Sequence, residues 1–172
     1  MITLYLARHG QTQENIARIF QGHLPGTLTE EGKRQAAALG EELQAERLDA
    51  IISSDLKRAT DTVSIAVGKR NLPWEQTVLL REIDWGDWTG LPIAAVNRNN
   101  LPSNAETRDM LYKRAKRFLD YLKLHYDGKH VLAVAHGQII RAIEAQLRGI
   151  RPEEMSHIPS MQNAEVRRFV IA

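Results

Sequence analysis

Two short, continuously apolar runs limit the folds open to this chain: Ile2 to Ala7 near its start and Val131 to Ala135 near its end. A strand with one wet face alternates apolar and polar residues, whereas a strand apolar on both faces must be covered on both. Segments of helical periodicity separate such runs, and alternation of that kind yields a mostly parallel sheet with helices on its two sides. Both runs end the same way, Ile2–Ala7 in Arg8-His9-Gly10 and Val131–Ala135 in His136-Gly137. In open α/β sheets the carboxyl ends of the strands form the ligand rim, so the repeated His-Gly places two imidazoles at one edge.

The intervening chain fits this plan. Gln11 to Thr27 carries Gly22, Pro25 and Gly26 and reads as a loop with a helical turn near Asn15–Phe20. A helix starts near Thr29, with Glu30 and Glu31 at its positive end and Ala36, Leu39, Gly40 and Leu43 as its stripe. Asp49 to Ile52 is a second strand. Ser53, Ser54 or Asp55 caps the next helix, Leu56 to Val67, and Thr77 to Leu80 reads as a third strand. Ser103-x-x-Glu106 has the form of a capping box, followed by a helix whose apolar face is Leu111, Ala115, Phe118, Leu119 and Leu122. A further helix follows Gly137, and Glu165 to Ile171 is an edge strand. The expectation is a single α/β domain over residues 1–172, a three-layer sandwich.

Composition narrows the function. There is no cysteine, which excludes disulfides, thiolate catalysis and Cys-ligated zinc. The 23 Lys and Arg leave a net charge of only +2 and form no long basic run, an argument against nucleic-acid binding. No apolar stretch approaches the roughly 20 residues of a membrane span. The N-terminal run reaches Arg8 too soon for a signal peptide, so the expected location is the cytoplasm.

The rim collects Arg8, His9, Arg58, Glu82 and His136, residue types suited to a phosphate monoester. Guanidinium groups bind the oxygens of the dianion bidentately. A neutral imidazole can attack phosphorus, a second can stabilise the transferring charge, and a carboxyl can protonate the leaving oxygen and then activate water. Helix N-termini after His9 or His136 would add N–H donors. Singly, each residue has an ordinary structural role; their conjunction on one rim carries the argument. Arg98, Arg108 and Arg141 read as solvated cations, and His23, His125, His130 and His157 as structural.

Arg8-His9-Gly10-x-Thr12-x-x-Asn15 resembles the signature of the histidine phosphatase superfamily, in its phosphoglycerate-mutase-like branch. The resemblance continues through Gln21-Gly22, Leu28-Thr29-x-x-Gly32-x-x-Gln35-Ala36, Ser53-Ser54-Asp55-Leu56-x-Arg58-Ala59-x-x-Thr62, Leu80-Arg81-Glu82-Ile83-x-Trp85-Gly86-x-Trp88-x-Gly90 and Ala135-His136-Gly137. It implies catalysis through a phosphohistidine, without metal or other cofactor, on a small phosphorylated substrate. By position, His9 is the implied nucleophile, Arg8, Arg58 and His136 the phosphoryl ligands and Glu82 the proton donor. Asn15, Gly22 and Gly137 line the phosphate region. The chain departs from the pattern at Pro25-Gly26-Thr27, where a carboxylate is missing, at Gln138 and at Thr89, and the segment after Trp88 is short. Trp85, Trp88 and Asn97–Asn104 are the expected pocket wall. The short segment favours a hydrolase over a cofactor-dependent phosphoglycerate mutase, and the intact set of Arg8, His9, Arg58, Glu82 and His136 favours it over a non-catalytic phospho-ligand-binding module, which has no need of the acid. A His-ligated metallohydrolase lacks the HxH or HExxH spacing. Substrate and oligomeric state are not readable from the sequence.

Overall fold

A computed structural model describes all 172 residues. Five strands, β1 (Ile2–Arg8), β2 (Ala50–Ser54), β3 (Trp74–Thr77), β4 (His130–Ala135) and β5 (Val166–Ile171), form one sheet in the order β3-β2-β4-β1-β5. All neighbours are parallel except β5, which runs antiparallel along β1 as an edge. β1 and β4 are central and adjacent, with Arg8 opposite Ala135. That register sets His9 and His136, each one residue past its strand, side by side.

Strand periodicity sorts the apolar runs into two layers. On one face Leu4, Leu6, Ile52, Val131 and Ala133 pack with residues of α4 (Arg108–His125) and α5 (Gly137–Arg148). On the other, Tyr5, Ala7, Ile51, Leu132 and Val134 pack with residues of α2 (Glu30–Glu42) and α3 (Lys57–Val67). The sandwich therefore has helices on both faces, as expected. No helix is long and apolar enough to cross a membrane.

Local chemistry fixes the element ends. α1 (Gln13–Ala17) is a short helix capped by Thr12, whose side chain accepts from the Asn15 N–H while the Asn15 side chain accepts from the Thr12 N–H. Thr29 caps α2 through the Gly32 N–H. α3 starts at Lys57 without a side-chain cap on its first residue; Ser54 Oγ accepts from Leu56 N–H just ahead of it.

Two sequence expectations need correction. The third strand is Trp74–Thr77, three residues upstream of the Thr77–Leu80 segment taken for it. Thr77 Oγ1 accepts from the Leu79 N–H and turns Val78–Leu80 into a 3-10 helix that buries Leu80 and exposes Val78. Apolar content there marks a core contact rather than a strand. The cap of α4 is Thr107, which accepts from the Met110 N–H, and not the Ser103–Glu106 box. Glu106 is instead committed to Arg114, as described below.

Candidate active site

His9 is 2% exposed at the end of β1. Its Nδ1 lies 2.7 Å from the Gly10 carbonyl. A carbonyl only accepts, so Nδ1 carries the proton and Nε2 keeps its lone pair. Burial, then Arg58 and then Arg8 hold the His9 pKa well below the usual imidazole value, so the ring is neutral near pH 7. His136, fully buried, lies with its ring centroid 5.1 Å from that of His9. Burial followed by Arg58 depresses its pKa likewise. Its Nε2 is 2.8 Å from Ser54 Oγ, while its Nδ1 is buried without a protein partner.

The two arginines are held by carbonyls rather than carboxylates. Arg8 donates to Met161 O at 2.8 Å. Arg58, 1% exposed, donates to Gly22 O at 2.9 Å and to Leu24 O. Burial lowers the Arg58 pKa to about 10 against the opposing pull of Glu82. In each side chain Nε is buried and unpaired. Buried donors are nearly always satisfied in folded proteins, so Arg8 Nε and Arg58 Nε call for acceptors, and His136 Nδ1 is likewise without a partner. All three belong to groups whose charges act on His9 or whose ring adjoins it.

Glu82 follows the 3-10 turn at Leu80. Its carboxylate accepts from the N–H groups of Ile83, Gln138 and Ile139 at 3.0 to 3.2 Å. It therefore occupies the N-terminus of α5. The N–H groups after His9 are also taken, Gly10 by Thr62 Oγ1 and Gln11 by Gln35 Oε1. The Gly10, Gln11, Gln138 and Ile139 N–H groups, expected to serve a ligand, are thus committed within the protein. Gly137 lies against both partners; a Cβ there would stand 3.7 Å from Arg8 and 3.9 Å from Glu82.

Arg8, His9, Asn15, Gly22, Arg58 and Glu82 line one cavity of about 170 Å³. His136 and Gly137 adjoin it through His9, Arg8 and Glu82. The altered loop at Pro25–Thr27 has its own fit. Gly26 has φ of 75° and packs on the Arg58 stem, where a Cβ would fall 2.7 Å from Cδ. The loop carries no carboxylate of its own; Glu14 of α1 accepts from the Thr27 N–H at 3.1 Å, and its charge acts on Arg58.

The sequence also left several contributors unnamed. Asn163 Nδ2 donates to His9 O at 3.2 Å and to Asn15 Oδ1 at 3.4 Å. Arg114 forms a bidentate pair with Glu106 at 2.8 and 2.7 Å and donates to the carbonyls of Leu79, Arg81 and Glu82. Its one sequence signal is a cation flanking the apolar stripe of α4. Arg98 and Arg108 are exposed, as expected of solvated cations, and Arg141 is half-buried; all three also line a cavity with Trp85 and Trp88. The expected wall is thus present through Trp85, Trp88, Arg98 and Leu101. His23, expected to be structural, donates from Nε2 to Glu82 O. No three His, Asp or Glu side chains gather into a metal-ligating cluster.

A parallel sheet that presents a neutral imidazole among unpaired cationic donors defines an α/β enzyme whose pocket is built for an anion at the strand ends. Residues 4–172 match the profile of the histidine phosphatase superfamily (branch 1). The chain is 30% identical over 168 residues to adenosylcobalamin/alpha-ribazole phosphatase of Escherichia coli (strain K12), covering 90% of this chain and 83% of that one. It is 34% identical over 159 residues to the uncharacterized phosphatase PhoE of Bacillus subtilis (strain 168), covering 91% and 82%. Among solved structures, YhfR of Bacillus stearothermophilus superimposes with a TM-score of 0.94 at 30% identity over 100% of this chain and 92% of that one. The chain belongs to the histidine phosphatase superfamily, branch 1, and is a phosphatase-class enzyme.

Proposed function

We propose that residues 1–172 form one domain that hydrolyses small phosphomonoesters through a phosphohistidine at His9 Nε2, without a metal. The observation that carries this is the pair of buried, unpartnered guanidinium donors on Arg8 and Arg58, with the unpartnered His136 Nδ1, around a neutral His9. Phosphoryl oxygens supply the acceptors those donors lack, and two guanidinium charges balance a dianion. Asn15, Gly22 and Gly137 line the phosphate region, with Gly22 also fixing Arg58 through its carbonyl.

In the first step His9 Nε2 attacks phosphorus and the P–O bond to the alcohol breaks. Protonated Glu82 gives its proton to the departing oxygen. In the second step the Glu82 carboxylate takes a proton from water, the water oxygen attacks phosphorus and the P–N bond breaks. His9 returns neutral and Glu82 returns protonated, so the sum is ester plus water to alcohol plus phosphate. Arg8, Arg58 and His136 hold the transferring oxygens throughout. The substrate is a small soluble metabolite rather than nucleic acid, and the cytoplasm is the proposed location, a reading supported by the absence of cysteine and of any basic run.

The test is release of p-nitrophenol from its phosphate in EDTA, with and without vanadate. Turnover that persists in EDTA, is blocked by vanadate and vanishes in His9→Ala supports the proposal. Loss of turnover in EDTA means a metal enzyme, and no turnover of any ester means a binding module. Transfer to an added phosphoglycerate in preference to water means a mutase.

A further inference from the structure

Next to the phosphate-sized cavity lies a larger one, of about 370 Å³. The two share Trp85, Arg98 and Gln138 as walls, so an ester seated at His9 extends from the first into the second. The lining of the second cavity includes six apolar residues, Ile83, Trp85, Trp88, Leu101, Leu111 and Met155. It also includes three arginines from separate parts of the chain: Arg98 from the loop after the 3-10 turn Ile93–Ala95, Arg108 from the first turn of α4 and Arg141 from α5.

None of these arginines has a carboxylate partner. Arg98 lies over the rings of Phe20 and Trp85, with Cζ 5.4 and 5.5 Å from their centroids. Arg141 donates to Ser160 Oγ, and its Nε is buried and unpaired. The sole acidic group in the wall is Glu106, already bidentate with Arg114. Three uncompensated cations around one cavity, beside two indoles, select an anion attached to a flat apolar body.

We propose that this cavity is a leaving-group subsite for phosphomonoesters whose alcohol portion is flat and apolar and bears a second anionic group, a carboxylate or a second phosphate. Arg108 and Arg141 receive that group, Trp85 and Trp88 flank the body, and Arg98 spans the junction with the phosphate cavity. The proposal rests on the hydrolase reading for which bond is cleaved, and its test is a binding measurement that does not depend on cleavage.

The probes are benzylphosphonates bearing carboxylate, phosphonate or neutral carboxamide at the meta or para position, and calorimetry gives their Kd. At least one anionic probe should bind about fivefold tighter than its carboxamide counterpart, the range of a partly exposed ion pair. Arg108→Gln and Arg141→Gln should each shrink that ratio, and the double variant should bring it within about twofold of one. Arg117→Gln, on the same helix but outside the cavity wall, should keep it. The better of the carboxylate and phosphonate arms identifies the second anion. A wild-type ratio near one for every probe overturns the subsite, as does a ratio that survives in the folded double variant. Phenyl phosphate turnover is read separately. If turnover is absent and the ratio is intact, the hydrolase reading fails and the subsite stands.

Discussion

Arg114 is the side chain whose removal should couple stability to catalysis most directly. Its guanidinium forms the bidentate pair with Glu106 and holds the backbone carbonyls of Leu79, Arg81 and Glu82, in the segment that delivers Glu82. Both side chains are nearly buried, at 13% and 11% exposure. Arg114→Met keeps the stem but leaves the Glu106 carboxylate with only the Asp84 N–H, at 3.2 Å. Breaking a buried pair costs about 3–5 kcal/mol; the residual exposure puts this case near the lower end. For a chain of 172 residues, about 3 kcal/mol lowers the melting temperature by roughly 6–12 °C. The second consequence is positional. Glu82 O loses one of its two donors, His23 remaining, and a misplaced proton donor costs up to about 100-fold in rate. The loss should grow with the pKa of the leaving alcohol, because only poor leaving groups need the proton. Adding Glu106→Gln to Arg114→Met should restore part of the stability, since it removes the stranded charge. The assays are thermal melts and kcat/KM over a series of aryl and alkyl phosphates. A destabilisation under about 1 kcal/mol, or a rate loss equal for all leaving groups, would refute the reasoning.

Other consequences are equally direct. Glu82→Gln should lower kcat/KM, which reads the first step, by about 100-fold or more for alkyl phosphates while sparing that of p-nitrophenyl phosphate; equal losses in kcat/KM remove the proton-donor role. The folded pKa of His9 and of His136 lies well below the usual 6.5 of an unfolded chain. The unfolded state therefore binds more protons below about pH 6.5, and stability falls as pH drops, by up to about 1.4 kcal/mol per pH unit for each ring. Denaturant melts from pH 7 to 5 measure this, and His9→Gln should reduce the slope; a flat profile is the contrary outcome. Gly26→Ala forces both a φ of 75° and a clash with Arg58, so it should lower stability by about 1–2 kcal/mol and raise KM, whereas an unchanged KM means Arg58 does not hold substrate. Inorganic phosphate at about 100 times its Kd should add roughly 2.7 kcal/mol and raise the melting temperature by about 5–11 °C, with chloride at equal ionic strength as the control.

The parts of this molecule legible in sequence are those that repeat a period or a local pattern. Ile2–Ala7 and Val131–Ala135 announced central strands because burial on both faces leaves no polar alternation, and Leu4 and Tyr5 do separate onto opposite cores. The rim followed from strand order alone, which is why His9 and His136 could be paired across 127 residues of chain. Val78–Leu80 misled because an apolar trio fits a strand and a buried turn equally well; the Thr77 hydroxyl decides between them. Arg114, Asn163 and the Arg98–Arg108–Arg141 group were hidden for a different reason. Each acts across separate elements, and a cation in sequence carries no mark of whether a carboxylate will meet it in space.

That last point bears on how the site works. Glu106 neutralises Arg114, Asp55 neutralises Arg81 and Glu144 neutralises Arg167, each at hydrogen-bonding distance. Arg8 and Arg58 are treated otherwise: carbonyls fix them, and Glu82, whose charge acts on both, is turned to the N–H groups of α5. Two consequences follow from the one arrangement. Burial and, after it, the unpaired cations keep His9 neutral, which in the proposed reaction leaves a lone pair for attack. The same cations gain their counter-charge only when a phosphate dianion enters, so the field that disfavours imidazolium in the free enzyme weakens as substrate binds. His136, depressed chiefly by burial and Arg58, is then freer to share a proton with the transferring oxygens at the moment their charge is greatest.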